Sequence, residues 1–113
     1  MYADLGIKLD KALNLIKKAL ELDPENGAIL DSMGWAYYRL GNYEMAQKTL
    51  EKAVKLEPNE KELRFHLGCV YEKLGYNNSA IIEFNKALAL YPGYKEAQEA
   101  LKRIQKTSAE SGE

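Results

Sequence analysis

Residues 27–60 and 61–94 can be written one above the other without a gap, and nine positions match. They are Gly34/Gly68, Tyr37/Tyr71, Leu40/Leu74, Gly41/Gly75, Ala46/Ala80, Lys52/Lys86, Ala53/Ala87, Leu56/Leu90 and Pro58/Pro92. A further step back of the same 34 residues still finds Ala12, Lys18, Ala19, Leu22 and Pro24. The second half of the unit therefore occurs three times and the first half twice. A period of this length constrains the fold more than any composition value. Each unit is one supersecondary element that cannot bury its apolar face alone, so the units must stack.

Apolar residues recur at three- and four-residue spacing, the signature of helices with one buried face. The pattern predicts helices at about Asp10–Leu22, Asn26–Leu40, Tyr43–Leu56, Glu60–Leu74, Asn78–Leu90 and Tyr94–Lys106. Pro24, Pro58 and Pro92 each follow a helix end, because proline lacks an amide hydrogen and disfavours helix in the residue before it. Gly41-Asn42 and Gly75 supply the turns within units. Tyr2–Gly6 reads as the stub of an earlier helix stopping on a glycine, and Asp10 as the cap of the first full helix. Gly34 and Gly68 sit inside helices, where glycine costs about 1 kcal/mol relative to alanine. Close approach of a neighbouring helix explains them. The last helix has a narrow apolar stripe (Ala97, Ala100, Leu101, Ile104) and a polar outer face, as a terminal repeat needs. Ser108–Glu113 lacks an apolar anchor and is expected to be disordered.

These residues resemble the tetratricopeptide repeat, a 34-residue helix–turn–helix. One unit offers Leu30, Met33, Gly34, Tyr37, Gly41, Tyr43, Ala46, Leu50, Ala53 and Pro58. The next offers Arg64, Leu67, Gly68, Tyr71, Gly75, Ala80, Phe84, Ala87 and Pro92. Arg64 stands where a large apolar residue is usual, and Asn77 where an aromatic is, which loosens single contacts. The resemblance implies an all-α, right-handed α-solenoid of antiparallel helix pairs, a superhelix of about 2.5 repeats plus a capping helix. The expected domain is 1–107: a half repeat (1–26), repeats at 27–60 and 61–94, and a cap at 95–107, followed by the tail 108–113.

The charge balance, 16 basic against 17 acidic residues, gives nothing to attract a polyanion, so no nucleic-acid partner is expected. No apolar run approaches the ~18 residues that cross a bilayer, so no membrane insertion is expected either. Cys69 is the single cysteine and His66 the single histidine. That excludes an intrachain disulfide, a cysteine cluster and a multi-histidine metal site. His66 and Cys69 lie one helical turn apart, the spacing of a nucleophilic dyad. No orienting group or oxyanion site accompanies them, so both read as groove or packing residues. Neither an enzyme activity nor a cofactor is expected. The start of the chain has no basic, apolar leader. Compartment stays open, between cytoplasm and, if a leader lies upstream, periplasm.

In the resembled family the first helix of each pair lines a concave groove that takes peptide segments. Carried over by position, the groove residues are Asp31, Ser32, Trp35, Tyr38 and Arg39 in one unit, and Glu62, Phe65, His66, Cys69 and Lys73 in the next. Aromatic side chains give large contact area at small entropic cost. The expected function is thus a non-catalytic protein-interaction module with a scaffold or adaptor role, binding a protein or peptide. One subfamily grips terminal carboxylates with lysine, asparagine and arginine. The matching positions here read Asp31, Trp35, His66, Glu96 and Ala100, so no such clamp is expected. The alternative is self-association. The first helix lacks a pairing helix, so part of an apolar face at Leu9, Leu13, Ile16 and Leu20 is expected to be open: either a longer solenoid continues there, or two copies dock or exchange helices.

Overall fold

The computed structural model describes the backbone of residues 2–110 and the side chains of residues 8–106. Six α-helices and no strand occur among the described residues. They fall into two units that part after Pro58. The first holds α1 (Tyr2–Leu22), α2 (Gly27–Arg39) and α3 (Tyr43–Leu56); the second holds α4 (Lys61–Lys73), α5 (Asn77–Leu90) and α6 (Lys95–Glu110).

In the first unit, Asn26 and Asn42 start α2 and α3. Their side-chain oxygens accept from the backbone N–H of Ile29 at 3.0 Å and of Met45 at 3.3 Å, satisfying donors that a helix start leaves unpaired. The turn after α2 forms because Gly41 takes φ 83°. The Gly41 and Asn42 amides then donate to the Tyr38 and Tyr37 carbonyls at 3.0 and 2.9 Å. This paired closure of a helix end needs a left-handed residue, which glycine supplies without a Cβ clash. Tyr-x-x-Leu-Gly closes α4 in the same way: Gly75 has φ 84°, and Tyr76 donates to Tyr71 at 2.9 Å.

The same five-residue pattern at Tyr2–Gly6 does not make a stop. α1 is one helix from Tyr2 to Leu22, and Asp10, expected as its cap, lies exposed in mid-helix. A glycine permits the left-handed turn but does not enforce it. Within a helix it costs only about 1 kcal/mol, an amount that packing of α1 on α2 offsets.

The mid-helix glycines are contact points. A Cβ on Gly34 would lie 2.5 Å from Leu50 Cγ, and one on Gly68 would lie 2.6 Å from Phe84 Cε1. Leu50 and Phe84 are fully buried beneath them. The second unit differs beside this contact. Arg64 of α4 donates to Glu83 of α5 at 2.9 Å with both side chains largely buried, and Lys86 stands 3.6 Å from the other carboxylate oxygen. Arg64 therefore does not loosen the packing, as expected from its departure from the family pattern; it exchanges an apolar contact for an ion pair. α6 packs on α5 and α4 through Ala97, Ala100 and Ile104. Arg103 on its outer side holds Glu72 of α4 through two hydrogen bonds, at 2.9 and 2.6 Å. α6 continues past Lys106 to Glu110, so Ser108–Glu110 of the expected tail is helical. Residues 111–113 lie outside the described residues.

Candidate functional site

In the first unit the candidate surface is built on α2. Trp35 and Tyr38, three residues apart, fall on one side of the helix. Their rings stack with centroids 4.5 Å apart and planes within 8°. Tyr43, at the start of α3, leans on Tyr38 at 5.6 Å. Trp35, Tyr38 and Asp31 are half-buried, while Ser32 and Arg39 are exposed. The result is a fixed aromatic plate edged by one carboxylate and one guanidinium. Aromatic surfaces held by their neighbours lose little freedom when something binds them.

In the second unit the carried-over residues divide. Glu62, Phe65 and His66 are half-buried and Lys73 is exposed. Phe65 is a packing residue. Its ring lies 5.2 Å from that of Tyr94 and 5.7 Å from that of Phe84, against the cluster of Ala87, Tyr94 and Ala97. Expected as an exposed anchor, it instead ties α4 to α5 and to the start of α6. Cys69 is corrected too, because it is buried and lines no surface. Burial first, and the nearby Glu72 carboxylate second, push its thiol up to about 12. A thiol so placed supplies no thiolate, so a His66–Cys69 dyad has no nucleophile. Among the described residues no group of three histidine, cysteine or acidic side chains could hold a metal ion.

A recess of about 540 Å³ opens where α4 and α6 begin, lined by Lys61, Glu62, Tyr91, Gly93, Tyr94, Lys95 and Glu96. Tyr91 and Tyr94 flank the Pro92-Gly93 turn, which the Tyr94 amide closes onto the Tyr91 carbonyl at 3.1 Å. Lys61 Nζ stands over the Tyr91 ring at 5.2 Å and 3.2 Å from Glu62. The Glu62 carboxyl is held below the usual carboxylate range, chiefly by a hydrogen bond from its own backbone amide at the start of α4, with Lys61 adding to this. Tyr91 and Lys95 were not singled out from sequence. A signal was present: Tyr91 occupies the repeat position that Glu57 holds in the preceding unit, an aromatic where a charge stood.

On the face expected to serve self-association, α2 takes up part of the apolar surface. Leu13 is 7% exposed, and Leu9, Ile16 and Leu20 are half-buried, on a helix that packs on α2. The exposed apolar side chains of α1 are Leu15 and Leu22.

Paired helices of 34-residue period, glycines at their crossings and first-helix surface residues define a helical-repeat binding fold. The family model described as "Tetratricopeptide repeat" matches residues 8–67, and a second model of the same description matches 62–94. The chain belongs to the tetratricopeptide repeat family, and its fold class is that family's all-α solenoid of antiparallel helix pairs. Among curated proteins it is 46% identical over 48 residues to "TPR repeat-containing protein PA4667" of Pseudomonas aeruginosa. It is 47% identical over 38 residues to "BBSome complex member BBS4" of Bos taurus. Those matches cover 42% and 34% of this chain but only 8% and 7% of the relatives, so the chain corresponds to a small part of either. Among solved structures, the first TPR of Spaghetti (RPAP3), bound to the HSP90 peptide SRMEEVD, superposes with a TM-score of 0.88 at 26% identity, covering 96% of this chain and 85% of that one. The Arabidopsis OM64 TPR domain gives 0.86 at 26%, with 94% and 88% covered. The second TPR domain of human RPAP3, in complex with the HSP70 peptide SGPTIEEVD, gives 0.81 at 26%, with 91% of each covered.

Proposed function

We propose that this chain is a non-catalytic protein-interaction module that takes a peptide segment of a partner on the exposed surfaces of its first helices, as an adaptor in a larger assembly. The observation that carries the reading is the stacked Trp35–Tyr38 plate on α2, at a surface position of a fold whose similar structures hold peptides. The recess around Tyr91 and Tyr94 is a second anchor point, in the other unit. Mixed charge around both aromatic sites favours segments with an apolar or aromatic anchor and charges of both signs nearby.

Acid-ended tails of the kind held by the two RPAP3 domains are not the proposed ligand. Asp31, Trp35, His66, Glu96 and Ala100 stand where basic and amide residues would be needed, and two of them repel a carboxylate. Peptides selected from a random library on the immobilised protein would be measured against Trp35→Ala and Tyr91→Ala. Loss of a rigid aromatic anchor weakens binding at least about tenfold. Selected peptides that bind both variants as well as wild type would refute the surface. Micromolar binding of SRMEEVD would refute the exclusion of acid-ended tails.

A further inference from the structure

The recess at the starts of α4 and α6 has a filled counterpart in the first unit. There Glu57 lies directly over Gly27 at the start of α2, and a Cβ on that glycine would strike the Glu57 side chain. One repeat further on, Lys61 replaces Gly27 and Tyr91 replaces Glu57. The exchange puts a lysine over an aromatic ring, with Nζ 5.2 Å from the Tyr91 centroid, at a recess of about 540 Å³. The first unit begins its helix without either residue, so the repeat frame does not call for the pair.

What surrounds Tyr91 suits a cation. An aromatic face carries the negative end of the ring quadrupole and attracts an ammonium or guanidinium group within about 6 Å. Lys61 takes that place from within the chain, and its Nζ is also 3.2 Å from Glu62. Glu62 is ionised at neutral pH, its carboxyl held below the usual range by its own backbone amide and by Lys61. Glu96 lines the recess as a second carboxylate. Gly93 leaves the hydroxyl end of Tyr91 within reach: a Cβ there would stand 3.6 Å from Cζ. The Lys61 and Glu62 side chains are 39% and 47% exposed, so their contact is of the weak, exchangeable kind. With Lys61 moved aside, Lys95 offsets only one of the two carboxylates. An anion fits less well, because the negative charge that a helix start attracts is already supplied at α4 by Glu62.

We infer, resting on the reading that this chain takes a peptide segment of a partner, that the recess receives an arginine side chain of that segment, whose guanidinium displaces Lys61 from the Tyr91 ring and pairs with Glu62. Arginine suits the site better than lysine. Its planar guanidinium stacks on an aromatic face while forking to a carboxylate, and it is less strongly hydrated than the ammonium it displaces. Lys61 is then a competitor built into the site, covering the ring and the carboxylate until a better cation arrives.

The probe is the tripeptide acetyl-Ala-Arg-Ala-amide, compared with the same tripeptide carrying citrulline (neutral, similar in shape) or glutamate in place of arginine. Titrated into the isotope-labelled protein, the arginine probe moves the amide resonances of residues 61–62 and 91–96 in a saturable way. Citrulline in the probe, or Tyr91→Leu or Glu62→Gln in the protein, weakens binding at least about twofold, with the circular dichroism spectrum of each variant unchanged. Lys61→Met removes the competitor and tightens arginine binding by about two- to fivefold. The sign of that change is decisive, since a site for an anion loses affinity when Lys61 is removed. Four results would overturn the inference: no saturable shifts at these residues, equal affinity for the citrulline probe, tighter binding of the glutamate probe, or arginine binding that Lys61→Met leaves unchanged or weakens. Peptides selected on the immobilised protein that depend on Tyr91 but carry no arginine would also overturn it, and would leave the proposed function standing. If no peptide is selected at all, the proposed function falls, and the titration still decides what the recess holds.

Discussion

Replacing Arg64 by leucine gives the second unit the residue that Leu30 places in the first. Arg64 and Glu83 are side chains with 14% and 9% exposure, joined at 2.9 Å. A charge-assisted hydrogen bond of this kind is worth about 1.5–3 kcal/mol. Breaking a fully buried pair by removing one partner costs about 3–5 kcal/mol, because the remaining charge is left desolvated. Here Lys86, half-exposed and 3.6 Å away, still faces the carboxylate. The expected loss for Arg64→Leu is therefore about 2–3 kcal/mol, or a Tm lower by roughly 10 °C. Glu83→Thr alone removes the carboxylate that faces the largely buried arginine and costs about 2 kcal/mol. The double variant restores the combination already present in the first unit, Leu30 with the 6% exposed Thr49. It should lie within about 1 kcal/mol of wild type, giving a coupling of about 3 kcal/mol between the two positions. Urea unfolding followed by circular dichroism measures all four corners. Single variants that cost under about 0.5 kcal/mol, or a double variant as poor as the sum of the singles, would show that the pair is a surface contact of the ordinary weak kind.

Two further outcomes follow from the packing. Gly68→Ala places a Cβ 2.6 Å from the fully buried Phe84 ring; the expected net loss is about 1–3 kcal/mol despite alanine's better helix propensity, measurable by the same unfolding assay. For Cys69, the thiol is neutral in the fold up to about 12 against an ordinary 9.0, so its contribution is intact below that lower value. It is lost as pH rises between the two, by up to about 1.4 kcal/mol per pH unit, because only the unfolded chain ionises there. Wild type minus Cys69→Ala stability, followed to alkaline pH, isolates this slope; a flat difference would contradict it.

The sequence showed those parts of the fold that are local and repeated. α3 has the bounds read from its periodicity, and α2, α4 and α5 agree within a residue at each end, because caps, prolines and glycine turns act over a few neighbouring positions. What it hid depends on partners far along the chain. Glu83 lies 19 residues from Arg64, and each reads separately as an ordinary surface charge. Phe65 sits at a surface position of its own helix, yet residues beyond Pro92 pack over it. The glycine at position 6 matches Gly41 and Gly75 in context, but a turn is decided by whether a second helix returns across the first.

The repeat frame also separates structure from function at matched positions. Trp35 and Tyr38 on α2 correspond to Cys69 and Glu72 on α4. On α4 these positions serve the fold: Cys69 is buried, and Glu72 is held by Arg103 of α6. On α2 they carry two stacked rings with no such ion pair in place of Glu72, because an aromatic tyrosine stands there. Beneath them the two units do the same work with different atoms, Gly34 on Leu50 and Gly68 on Phe84. Residues that vary while the contact is kept belong to the frame. A pair that changes chemistry outright, from acid and thiol to two aromatic rings, is not explained by the frame's needs. That is why the α2 surface, rather than the repeated core, is the one proposed for binding.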